Sequence, residues 1–147
     1  MSPRGLVYLP LCAVMLLLPF TASGALAAGT GDYTSAQSVA GQKIFNHSCS
    51  MCHGADLQGQ AGPALTGPAF AKSLQFSKMS ASQLYGFISK QMPASDPGSL
   101  TKDQYLRVLA YILSKNGYPS GQTPLSKSTL SQVDLFPYPG SASQARK

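Results

Sequence analysis

Cys49-Ser50-Met51-Cys52-His53 places two thiols and an imidazole within five residues, close enough to share one helical turn. Groups at this spacing can serve one flat cofactor. The two thiols can add to the two vinyl groups of a single haem, and the imidazole that follows can rise to its iron. Two other chemistries use part of the pattern. A redox dithiol also has Cys-x-x-Cys, but it sits after a strand inside a βαβ unit, and no strand pattern precedes Cys49. A structural zinc ion needs four ligands, for which His47 is at best a further donor. Attachment of one haem c through Cys49 and Cys52, with His53 as an iron ligand, is the reading the spacing favours.

The first residues suggest where this happens. Arg4 supplies a short positive region, Leu6 to Phe20 an apolar one, and Ala25-Leu26-Ala27 a small-x-small cleavage pattern, so residues 1–27 read as a secretory signal cut after Ala27. About fifteen apolar residues interrupted by Pro10 and Pro19 fall short of the about 20 that a spanning helix needs, which leaves an uncleaved anchor as the alternative. The expected compartment is the bacterial periplasm. Cys12 leaves with the signal, and Leu11 is not the small residue that precedes a lipidated cysteine. Cys49 and Cys52 are then the only cysteines left.

The remaining 120 residues suffice for one domain. They carry ten Lys and Arg against five Asp and no Glu, a net +5 that two haem propionates would lower to about +3. A mildly basic surface can steer a protein toward an acidic partner or an anionic lipid. However, Lys43, Lys72, Lys78, Lys90, Lys102 and Lys115 are spread evenly, as on an ordinary solvated surface. No basic run with interleaved aromatics points to nucleic acid. Membrane contact is expected to be peripheral at most.

The elements that must position the motif read as helices between Gly and Pro loops. Thr34 and Gln37 have the spacing of a capping box, predicting a first helix through Val39, Ile44 and Phe45 that delivers the motif at its end. Gly54 to Pro68 contains four Gly and two Pro, a loop composition. Ser80 and Gln83 open a helix with Leu84, Phe87 and Ile88, which must stop before Pro93 and leave Met92 at its exit. Thr101 and Gln104 open the last helix, with Leu100 and Tyr105 spaced as a hydrophobic staple and Gly117 and Pro119 closing the end. Tyr105, Val108, Leu109 and Ile112 recur at helical spacing, so one face must bury. Its natural partner is the first helix, where Gly41 would permit close approach beside Phe45, unless Gly41 is simply an exposed glycine. After Tyr118 the chain is rich in Ser, Gln, Pro and Gly and is expected to be irregular, with Leu130, Val133, Leu135 and Phe136 available to strap it down. The expected organisation is a signal at 1–27, an extension at 28–33, a domain at 34–118 and a tail at 119–147.

From Gly41 to Tyr118 the chain resembles a class I cytochrome c domain. The likeness rests on Gly41-x-x-x-Phe45, Cys49-x-x-Cys-His53, Gly62-Pro63-x-Leu65, Met92-Pro93 and Val108-Leu-Ala-Tyr111, in that order. Pro97-Gly98-Ser99-Leu100 and Asn116-Gly117-Tyr118-Pro119 are similar to small cytochromes that serve quinoprotein dehydrogenases. The resemblance implies an all-α fold around one haem c whose iron cycles between Fe(III) and Fe(II), an electron carrier rather than an enzyme. It implies a periplasmic dehydrogenase as donor and an oxidase or another cytochrome as acceptor, the chain being a monomer or a complex subunit. It also implies that the Pro63 carbonyl accepts the Nδ1 proton of His53. For the sixth ligand, Met51 lies inside the attachment turn, and Met79 precedes a helix where it could form a staple with Leu84. Met92 matches the family's position, with Met79 or an open site as the alternatives. An open site would suit a haem enzyme or gas sensor.

Overall fold

The computed structural model describes Met1 and residues 31–139. The signal-like segment with Cys12, residues 28–30 of the extension and residues 140–147 of the tail lie outside the described residues. Among the described residues five α-helices follow one another: α1 (Ser35–Ser48), α2 (Ser50–His53), α3 (Gly67–Ser77), α4 (Ala81–Gln91) and α5 (Lys102–Lys115). A 3-10 turn at Leu130–Gln132 comes last. No strand forms among the described residues, where Tyr33 and Ser120 make an isolated parallel bridge.

Three helices start where local side-chain chemistry directs. Thr34, Ser80 and Thr101 each accept the backbone N–H three residues on, while Gln37, Gln83 and Gln104 reach back to the N–H of the cap residue. Each such cap is worth about 1 kcal/mol, so the starts of three short helices are defined by residues within one turn. The helix α3 departs from the sequence reading, which places no element between Pro68 and Ser80. Gly67 and Pro68 belong to its first turn rather than to the preceding loop. Proline is tolerated there because its fixed φ suits a helix start and its missing N–H would have had no partner. Phe70 and Leu74, four residues apart, face the core, and Lys78 ends the helix in the left-handed region at φ 50°.

The core is built on α5, whose residues from Tyr105 to Leu113 are all buried except Arg107. Its main partner is α1. A Cβ on Gly41 would overlap the Arg107 carbonyl, and the neighbouring Tyr111 Cβ lies 3.1 Å from that position, so the two helices approach through the glycine. One turn later Phe45 is fully buried with its ring 5.4 Å from that of Tyr111. α4 packs Leu84, Tyr85 and Ile88 inward, partly onto α5.

Residues 119–139 are largely irregular yet firmly applied to the body. Leu125, Leu130, Val133, Leu135 and Tyr138 are buried, while Phe136 remains 40% exposed. Gln37 grips this strap, its Nε2 donating to Leu125 O at 2.8 Å and its Oε1 accepting from Leu125 N at 2.7 Å. The Tyr118 hydroxyl donates to Leu135 O at 2.8 Å.

Candidate functional site

The Cys-x-x-Cys-His run occupies the junction between α1 and α2. Cys49 ends α1 by donating its N–H to Phe45 O at 2.8 Å, and His53 N returns to Cys49 O at 3.0 Å. Phe45, locked under α5, therefore fixes the place where the motif begins. Both cysteines are free and half-buried. Burial, reinforced by Cys52 nearby, pushes the Cys49 thiol up to about 11. A redox dithiol needs the opposite, a thiol acidified by its surroundings.

His53 is 8% exposed, and its Nδ1 lies 2.8 Å from the Pro63 carbonyl. A carbonyl only accepts, so the proton sits on Nδ1 and Nε2 keeps its lone pair for a metal. The loop that brings Pro63 back is sewn to the motif. Gly59 N donates to His53 O at 2.8 Å and Gly62 N to Cys52 O at 2.7 Å. A Cβ on Gly62 would come within 3.0 Å of the imidazole Cε1, so the bare backbone here makes room for the ring. Leu57 is fully buried at φ 60°, a conformation costly for leucine that its burial helps to hold.

Met92 leaves α4 in extended conformation, half-buried, its N–H still bonded to Ile88 O at 3.1 Å. Its carbonyl is held twice, by the Tyr105 hydroxyl at 2.6 Å and by Gly98 N at 3.2 Å. That hydroxyl also accepts from Leu100 N at 3.3 Å, so one buried tyrosine on α5 clamps both ends of the 92–100 loop. Sequence reasoning gave Tyr105 only an apolar role. Met79 packs partly against the core and Met51 is 80% exposed. His47 is exposed on the last turn of α1.

These donors suit haem c. Two free, half-exposed thiols flank one turn, followed by an imidazole whose Nδ1 is occupied and whose ring rests on glycine. Among the described residues no group of three or more His, Cys, Asp or Glu comes together as a metal-ion site, and a structural zinc ion takes four such ligands. No described helix is long and apolar enough to cross a membrane.

The sequence model of a family described as cytochrome C oxidase, cbb3-type, subunit III matches residues 36–112, more than half of the chain. It takes in all of α2 to α4 and most of α1 and α5, and it ends before the strap. No curated protein and no solved structure matches.

Proposed function

Because this chain belongs to the cbb3-type cytochrome c oxidase subunit III family, class I c-type cytochrome domains that transfer electrons through covalently bound haem c, we propose that it is a periplasmic carrier of single electrons. The observation that carries the reading is the pairing of His53 Nδ1 with Pro63 O directly after the two free thiols. When bound, haem c supplies a one-electron Fe(III)/Fe(II) couple. In this reading Cys49 and Cys52 would hold it through thioethers, and His53 and Met92 would be the iron's protein ligands. Pro63 fixes the imidazole plane and strengthens its donor character. The loop held by Tyr105 carries Met92, and a thioether paired with an imidazole would favour Fe(II) and raise the potential. Met51 is exposed, and of the two half-buried methionines Met79 is the one packed against the core, which supports this choice.

The donor is a periplasmic dehydrogenase of quinoprotein type and the acceptor a respiratory oxidase or another cytochrome. The family's name gives specific support to a second arrangement, in which the chain is a bound haem subunit of an oxidase. Co-purification with a terminal oxidase would select that arrangement over a freely diffusing carrier. Acid-acetone extraction should leave the colour on the protein, and mass spectrometry should find an N-terminus near Ala28 plus one haem. Met92→Ala should keep covalent haem, abolish the far-red Met-to-Fe(III) band, lower the potential and open the iron to carbon monoxide, whereas Met79→Ala should do none of these. Freely extractable colour would defeat the proposal. Rapid carbon monoxide binding by the wild type would favour an enzyme or sensor with an open sixth site.

A further inference from the structure

Asn116, the C-cap of α5, is 4% exposed, and both ends of its carboxamide are engaged. Its Nδ2 donates to Ile112 O at 2.7 Å and to Leu65 O at 2.9 Å. Its Oδ1 accepts from Gly67 N at 3.3 Å and from the hydroxyl of Tyr138, a buried residue of the strap. That hydroxyl also lies 3.4 Å from Gly67 O, and the Tyr138 ring stands edge-on to Tyr118 at 6.1 Å. A single amide thus joins the end of α5, the start of α3 and the strap.

Two residues link this junction to His53. Gly62 is fixed by its N–H to Cys52 O, and Leu65 by its N–H to Leu57 O at 2.8 Å together with its carbonyl to Asn116. Only Pro63 and Ala64 span the interval. The carbonyl that receives the His53 Nδ1 proton therefore hangs between two anchors, of which the second is completed from outside the 36–112 match by Asn116 and Tyr138. An Nδ1–H bond raises imidazole basicity and so stabilises Fe(III). Loosening the second anchor should weaken that bond and raise the reduction potential.

We propose that Tyr138 and Asn116 are positioning residues for His53, through which the strap sets the orientation and donor strength of the proximal imidazole. The proposal rests on the reading of His53 as a haem ligand. Its test compares Tyr138→Phe, which keeps the ring and removes the hydroxyl, with Tyr118→Phe, which removes another buried strap hydrogen bond without touching Asn116 or Gly67. The holo-proteins are assayed for acid-acetone-resistant colour, thermal midpoint, reduction potential and the proton resonance of His53 Nδ1–H. Both variants should melt lower and retain their colour. Only Tyr138→Phe should shift the Nδ1–H resonance and raise the potential, changing the oxidised-to-reduced ratio about threefold, or about 28 mV at 59 mV per decade. A potential and resonance that move equally in both variants, or in neither, overturn the proposal while leaving the haem reading intact. Colour that extracts freely from the wild type overturns the haem reading and the proposal with it.

Discussion

Tyr105→Phe is the substitution that best separates the clamp on Met92 from the packing around it. The ring is 4% exposed and stays, so no cavity forms, and the hydroxyl alone is lost. With it go the 2.6 Å bond to Met92 O and the 3.3 Å bond from Leu100 N. Each is worth about 1 kcal/mol net, giving about 2 kcal/mol, while Met92 O keeps Gly98 N as a remaining donor. If that loss falls on opening of the 92–100 loop, the Met92-off population rises about thirtyfold. If Met92 ligates the iron as proposed, carbon monoxide binding to the reduced protein has to wait for it to leave and should then accelerate by a comparable factor. The far-red Fe(III) band should weaken without vanishing, and covalent haem should be unaffected. A variant that melts lower by the expected amount yet binds carbon monoxide at the wild-type rate, with an undiminished band, would refute the link between Tyr105 and Met92.

Three further outcomes follow from the fold. Gly41→Ala gains about 1 kcal/mol of helix propensity but drives a Cβ into the Arg107 carbonyl, so thermal melts should show a net loss of about 2 kcal/mol, whereas Gly86→Ala, with nothing within 4 Å of the new atom, should gain up to about 1 kcal/mol. Gln37→Ala removes one capping bond and both bonds to Leu125, about 3 kcal/mol at most, and limited trypsin digestion should cut the strap at exposed Lys127 before any other site. Burial raises the phenols of Tyr33, Tyr118 and Tyr138 above their usual 10.0, so the fold holds their protons after the unfolded chain has released them. Stability should accordingly be level below pH 10 on this account and fall above it, with tyrosinate absorbance rising together with loss of far-UV dichroism; ionisation of all three near pH 10 in an intact fold would contradict this.

Much of the site and its scaffold is legible in the sequence because the determinants are local. The Cys49 to His53 spacing, the capping boxes at Thr34, Ser80 and Thr101, and the apolar stripe of α5 depend on residues within one or two turns of each other. Helix geometry alone brings those groups together. The whole of α3 escaped, because Gly67 and Pro68 carry loop composition although proline is also a helix starter, and its N-cap residue Thr66 makes no side-chain capping bond that would have marked the start. Gly41 was ambiguous until Arg107, 66 positions away, supplied the carbonyl that excludes a side chain. The clamp on Met92, the Asn116 junction and the grip of Gln37 on Leu125 were decided only by tertiary structure, across separations of 13, 51 and 88 residues. Tyrosine, asparagine and glutamine can each satisfy several local arrangements equally well. Which hydrogen bond each makes is settled only when packing of α1 on α5, and of the strap over both, removes water and leaves a buried carbonyl or N–H that must find a partner.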